Sequence, residues 1–280
     1  MYFKFVYDKT LAQASYVIGC QEKGIAAVID PKRDVDTYIE IAQENELQIT
    51  HILETHIHAD FLSGSRELAL LTGADLYLSD EGDEYWQYQF PHIGLKNGSQ
   101  IELGNVLIEA LHTPGHTPEH LSYLIIDKAI CDEPVMLFSG DFVFVGDIGR
   151  PDLLDKLTGD KASSGIGAHQ QFSSLQKLSK LKDYIQIWPG HGAGSSCGKA
   201  IGAVPMSTLG YEKIRNWAMQ FSDDKDGFVE ELLANQPEPP RYYAMMKKLN
   251  KEKRKLLTEI PVIDNLSEKA YKKAKKSGLQ

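Results

Sequence analysis

The sequence predicts a mixed α/β domain with a metal site carried on strand ends, and three observations support this. Several extended apolar stretches precede the first helical pattern, so the strict strand–helix alternation of a doubly wound fold is missing. Strand-like and helix-like patterns then intermix through most of the chain. Finally, four separate apolar strands run into turns that carry histidine or aspartate.

Taken in order, residues 2–7 and 13–19 alternate or run apolar and read as strands. Ile25–Ile29 is a third strand, stopped by Asp30-Pro31. Val35–Asn45 has helical periodicity. Ile49–Leu53 reads as a short buried strand, Phe61–Leu71 as a helix and Asp75–Leu78 as a strand. Glu81–Pro91, with Tyr85, Trp86, Tyr88 and Phe90, reads as a solvated connection whose aromatics pack on the core; the alternative is a loop lining a pocket. Lys96-Asn97-Gly98-Ser99 predicts a hairpin turn. Val106–His112, Leu121–Ile126, Val135–Ser139 and Ile185–Trp188 are strands. Ala168–Leu181 is a helix with Phe172, Leu175, Leu178 and Leu181 at spacing three. Gly192–Gly202 is a small-residue loop, and Ser207–Phe221 is helical. From Asp223 the chain is highly charged, and Pro237, Pro239 and Pro240 mark a break. Tyr242–Leu257 and Ser267–Lys276 are Lys-rich and helical in pattern, with Lys247–Lys255 reading as a solvated face. These shifts predict a metal domain over 1–222 and a charged helical extension or linker over 223–280.

The chain has 280 residues, a net charge of −9 and 42% hydrophobic residues. That is enough for one large core. The acidic balance argues against nucleic-acid binding and for a small-molecule partner. No apolar run reaches spanning length, and the N-terminus lacks a signal-peptide pattern. Cys20, Cys131 and Cys197 are unclustered, which suggests a reducing compartment rather than a disulfide framework. A cytoplasmic protein is expected.

The chemistry centres on Thr55-His56-Ile57-His58-Ala59-Asp60-Phe61. In extended backbone His56, His58 and Asp60 project to one side. Imidazole and carboxylate together suit a divalent transition metal. The bland alternative is a His-rich turn with Asp60 as a helix N-cap. Further along, Pro114-Gly115-His116-Thr117-Pro118 presents His116 on a rigid corner. His112 and His120 are ligands by type, but the turn chemistry favours His116 and leaves them a structural role. Asp141 ends an apolar strand, where a carboxylate is costly to bury unless paired or metal-bound. Pro189-Gly190-His191-Gly192 ends another strand. All four falling by chance is far less probable than any one alone.

With this ordered set, the chain resembles metallo-β-lactamase-fold proteins over about residues 1–220. The resemblance implies a four-layer αββα sandwich with the metal at one edge of its two sheets. Binuclear hydrolases of that fold, such as glyoxalase II, carry a histidine directly after the motif aspartate. Here that position is Phe61, which cannot bind metal. The chain is more similar still to persulfide dioxygenases (sulfur dioxygenases), especially those fused to rhodanese domains. Thr55–Gly64, Gly146-Asp147-Ile148-Gly149-Arg150-Pro151-Asp152-Leu153, Gly192–Lys199 and Ser207–Glu212 carry that likeness. It implies one Fe(II) per chain held by His56, His116 and Asp141, with His58, Asp60 and His191 behind the ligands. A two-His, one-carboxylate face agrees with simple ligand chemistry. The implied reaction is RSSH + O₂ + H₂O → RSH + SO₃²⁻ (sulfite) + 2 H⁺. The implied partners are a small thiol persulfide and O₂, with a homo-oligomer expected, no nucleic acid and no membrane. In the fusions rhodanese domains follow the metal domain, and this chain stops where one could begin. The alternative is a zinc-dependent, glyoxalase II-like thioester hydrolase.

Two further residues enter as substrate contacts. Arg150, in a Gly-rich turn after Asp141, is expected to face the metal mouth and hold an anionic group of the carrier thiol; its alternative is an arginine bonding loop carbonyls. Cys197 is expected near the mouth in small, polar surroundings, its thiol pKa lowered by Lys199. Its alternative is a small buried hydrophobe.

Overall fold

The computed structural model describes residues 1–151, 163–221, 223–236, 238–257 and 267–277. Asp152 and Leu153 of the Gly146–Leu153 motif, and Pro237, lie outside these residues. The first sheet holds β1 (Tyr2–Asp8), β2 (Gln13–Cys20), β3 (Ile25–Ile29), β4 (Gln48–Leu53), β5 (Asp75–Ser79) and β6 (Ile93–Leu95) in that order. The pairs from β1 to β3 are antiparallel and those from β3 to β6 parallel. The second sheet contains β7 (Gln100–Leu103), β8 (Val106–His112), β9 (Leu121–Asp127), β10 (Met136–Gly140), β13 (Gln186–Pro189) and β14 (Ser207–Thr208). Here β10 and β13 pair in parallel. A two-stranded ribbon, β11 (Val143–Phe144) and β12 (Asp147–Ile148), sits beside it.

Three apolar clusters fill the gaps between layers. One joins the inner faces of the sheets, with Tyr16, Ile18, Ile29, Leu53, Ile108, Tyr123 and Phe138 all buried. A second packs α1 (Asp36–Glu44) and α2 (Ser65–Thr72) on the first sheet through Tyr38 and Leu68. A third packs α3 (Ser163–Leu178), α4 (Leu209–Arg215) and α5 (Lys225–Leu233) on the second sheet through Leu175, Leu209 and Phe228. The result is the four-layer αββα metallo-β-lactamase sandwich. Strand β2 is buried along its whole length because it lies inside the sheet with layers on both faces.

Several boundaries differ from expectation for physical reasons. Lys96–Ser99 is a turn with Gly98 at φ +81°, but it carries the chain from β6 in one sheet to β7 in the other and is no hairpin. The helix expected from Phe61 starts at Ser65, after a Gly64 that lacks a side-chain cap. Asp60 is therefore not an N-cap. Ser207–Phe221 opens with a short strand before α4. Trp86, Tyr88 and Phe90 pack into the core under α2, while Tyr85 is exposed. In the extension, Tyr242–Leu257 is helical only over α6 (Tyr243–Lys251), and α7 spans Glu268–Lys276. Lys247 is buried rather than solvated, its ammonium 3.1 Å from the Trp86 ring centre.

Candidate metal centre

Parallel strands deliver their C-terminal ends to the same edge, where side chains face a crevice. In the first sheet β3 and β4 bring Asp30 alongside Glu54 and Thr55. In the second, β10 and β13 pair Gly140 with Pro189, which sets Asp141 beside His191. The β8–β9 turn supplies His116 from above. Gly140 takes a left-handed φ of +53°, and a Cβ there would lie 2.7 Å from the Thr55 hydroxyl and 2.6 Å from His120 Nε2. Only glycine lets the strand turn Asp141 inward at this point.

His56, His116 and Asp141 meet in one buried group, their facing atoms all within 4.8 Å of one another. Asp141 Oδ2 lies 4.0 Å from His56 Nε2 and 3.6 Å from His116 Nε2. The hydrogen bonds determine which ring nitrogens are free. His116 Nδ1 donates to the Arg150 carbonyl at 2.9 Å, because a carbonyl can only accept. The Thr55 hydroxyl spends its proton on Asp30 Oδ2 at 2.8 Å, so it accepts from His56 Nδ1 at 3.0 Å. Both Nε2 atoms therefore present lone pairs to the site. Burial, reinforced for His56 by the neighbouring His58, lowers the pKa of both rings and keeps them neutral. Asp141 Oδ2 is buried without a hydrogen-bond partner. Burial alone would raise the Asp141 pKa, but the charged His191 ring, hydrogen-bonded to Oδ1, holds it well below the usual carboxylate range. An ionised, unpartnered carboxylate oxygen facing two bare imidazole nitrogens fits a divalent metal ion held by three protein atoms.

The residues behind this group are fully engaged. His191 Nδ1 lies 2.7 Å from Asp141 Oδ1 and its Nε2 lies 2.8 Å from Asp60 Oδ2. Burial would lower the His191 pKa, but Asp141 and Asp60 raise it well above the ordinary value. It is an imidazolium with both protons committed. His58 Nε2 lies 3.0 Å from Asp30 Oδ1; despite burial, Asp30 pushes the pKa of this ring up to about 9. Its ring packs 4.4 Å from that of Phe61. His120 accepts the Asp141 backbone N–H at 3.1 Å and bonds Thr113 at 2.8 Å, so it aims the aspartate. His112 bonds the Pro118 carbonyl at 2.8 Å, at the turn's edge.

Cys197 joins Asp60 and His191 in a second buried group, again within 4.8 Å. The expected thiolate character is corrected. Burial raises the Cys197 pKa, and Asp141 and Asp60 raise it further. Lys199 points away, donating to the Glu231 carbonyl at 2.5 Å with its ammonium 5.7 Å from the Trp217 ring centre. Arg150 is only 1% exposed and does not open onto solvent. Its guanidinium donates to the Ser196 carbonyl at 3.3 Å and its N–H to the Cys197 carbonyl at 3.2 Å. Asp30, read from sequence only as a stop, anchors Thr55 and His58. The signal was present, because it ends an apolar strand as Asp141 does. Asn250 and Tyr243, which reach this site from α6, carried no such signal.

The model of the metallo-beta-lactamase superfamily matches residues 9–191, well over half of the chain. The chain belongs to the metallo-beta-lactamase superfamily. Among metallo-beta-lactamase relatives of known structure, a protein described as a metallo-beta-lactamase from Staphylococcus aureus subsp. aureus COL is 48% identical. It superposes with a TM-score of 0.90 over 99% of this chain and 82% of its own. ETHE1 from Myxococcus xanthus shares the fold at 24% identity and a TM-score of 0.74, over 90% of this chain and 98% of its own. A hydroxyacylglutathione hydrolase from Francisella tularensis subsp. novicida is 33% identical over 189 residues, 67% of this chain and 66% of the relative. No helix among the described residues is long and apolar enough to cross a membrane.

Proposed function

We propose that this protein is a mononuclear non-haem Fe(II) persulfide dioxygenase, converting a low-molecular-weight thiol persulfide and O₂ to sulfite and free thiol. One observation carries the reading. Three ligand atoms at His56, His116 and Asp141 are free and converge, while the neighbouring Asp60–His191 pair is locked by hydrogen bonds; the family resemblance adds that Phe61 stands where binuclear hydrolases carry a histidine. Bound there, Fe(II) would supply one-electron chemistry and open positions for a soft sulfur anion and O₂. The protein's own part is orientation and exclusion of water. The His191 imidazolium holds Asp141 Oδ1 and so aims Oδ2 at the two imidazoles. His120 fixes the Asp141 backbone, and Asp30 fixes the His56 strand end through Thr55. Cys197, a buried protonated thiol, would offer an S–H donor to the terminal sulfur of the substrate. Arg150 would act from behind, by holding the Ser196–Cys197 loop that forms this wall.

The test is metal analysis of protein purified without oxygen, paired with sulfite measurement on glutathione persulfide. One iron per chain and O₂-dependent sulfite are expected. Two zinc ions and O₂-independent thioester hydrolysis would overturn the reading. That outcome is the second reading, a zinc-dependent glyoxalase II-like hydrolase, and the Francisella relative favours it.

A further inference from the structure

We propose that helix α6 of the extension is a working arm of the metal centre, with Asn250 as the positioning residue through which it acts. This inference rests on the metal reading of His56, His116 and Asp141 and adds a residue about 190 positions downstream of the motif.

Between β4 and α2 the chain runs from Glu54 to Gly64 without regular structure beyond a single bridge from Ser63 to Lys32. Its buried amides and carbonyls must therefore find partners elsewhere. The first half finds them inside the sandwich. Thr55 N–H donates to Asp30, Ile57 N–H donates to Glu119, and the Glu54 carbonyl accepts from Tyr123. The second half, which carries Asp60, finds them on α6. Asn250 Nδ2 donates to the His58 carbonyl at 2.8 Å and to the Phe61 carbonyl at 2.8 Å. Asn250 Oδ1 accepts the Ser63 N–H at 3.0 Å.

A side-chain amide meets this pattern because it offers two donors and an acceptor on one rigid plane. Asn250 is buried. Aspartate would set a carboxylate against two carbonyl oxygens, and alanine would leave three buried backbone groups without partners. Asp60 lies between the two clamped carbonyls. Its carboxylate accepts from His191 Nε2, and His191 Nδ1 donates to Asp141. The clamp thus reaches the proposed carboxylate ligand through three successive hydrogen bonds and the short backbone around Asp60. Arg254 and Lys247 dock the arm without touching the His58–Phe61 carbonyls. Arg254 forks onto the buried Glu67, at 2.5 and 2.9 Å, and Lys247 lies on Trp86. Tyr243 reaches the Cys197 thiol from the helix's first turn. The family model ends at residue 191, so the arm lies wholly outside the matched region.

The experiment titrates Co(II) into the metal-free, full-length chain and follows its ligand-field spectrum. Wild type, Asn250→Ala, Asn250→Asp and Lys247→Met are compared, with thermal melts of each metal-free protein. Asn250→Ala and Asn250→Asp should each weaken Co(II) binding about 10- to 100-fold and alter the spectrum of the bound ion, as removal of a group behind a ligand does. Lys247→Met should lower the melting temperature yet keep affinity within about threefold and leave the spectrum unchanged. Wild-type affinity and spectrum in both Asn250 variants would overturn the proposal. An equal loss in Lys247→Met would also overturn it, by assigning the effect to docking in general. Should Asn250→Ala fail to fold, Asn250→Asp, with nearly the same volume, decides alone. A wild type that takes no Co(II) would overturn the metal reading itself, a result distinct from the others.

Discussion

Two buried groups of ligand-type side chains stand side by side at the same edge of the sandwich. In one, His56, His116 and Asp141 turn unpaired atoms toward each other. In the other, Asp60 and His191 have already spent theirs, and Cys197 keeps its proton. Both groups are buried and equally tight, with their atoms within 4.8 Å of one another, so proximity does not separate them. Hydrogen-bond state does. An imidazolium between two carboxylates has no lone pair to give, and a neutral thiol is a poor ligand. The second group instead stiffens the first, because His191 shares Asp141 with it.

The largest effect is expected at Asp141, which belongs to the first group and is held by His191 of the second. Asp141→Ala removes the anionic ligand and half of the His191 anchorage. Iron or cobalt affinity should fall by about 100-fold or more. Sulfite formation should disappear with the metal, while the far-ultraviolet circular dichroism of the fold persists. Near-normal metal content in this variant would move the site elsewhere.

A smaller effect is expected from Phe61→His, which offers the second group a neutral nitrogen. Zinc titration of this variant should give more than one ion per chain, the extra ion at least about tenfold weaker than the first because His191 must give up a proton to contribute. A variant that stays mononuclear would show that the Asp60–His191–Asp141 bridge alone closes the second group to metal.

The smallest change in metal binding is expected from Cys197→Ser. Affinity should stay within about threefold, while, if Cys197 contacts the persulfide as proposed, sulfite turnover falls about tenfold or more. Protonation adds a check. The Cys197 pKa is raised, so thiolate fraction and alkylation at this residue stay low through pH 8 and rise only above the ordinary thiol range. At pH 8, iodoacetamide should therefore label the half-buried Cys131 of the native protein at least about tenfold faster than Cys197, as read by peptide mass spectrometry. Equal labelling would show a thiolate there after all.

Much of the frame was legible in the sequence. β3 matches Ile25–Ile29, and most strands fall within a residue or two, since period and apolarity report burial directly. The strand-end logic that singled out Asp141 and His191 also applied to Asp30, where it was not used. Helix starts were less legible. Phe61–Gly64 was read as part of the helix, but Ser63 and Gly64 are poor helix formers and hydrogen bonds to Asn250 hold the segment out of α2. Lys247 has the look of a solvated lysine. Burial lowers its pKa to about 8 as its stem and ammonium settle on Trp86, and no local pattern encodes that contact.

Residue type and short-range period were enough to place most strands and the four turns that carry histidine or aspartate, whereas the layer order and the meaning of Phe61 came from the family resemblance. Which histidines are free to bind follows from contacts made in three dimensions. Neutral His56 and His116 differ from protonated His58 and His191 through carboxylates that lie close in space, most of them dozens of residues away along the chain. Tertiary structure likewise decided that the charged extension reaches back to the motif. Both outcomes turn on which buried polar groups find partners, a property of the assembled fold rather than of any stretch of it.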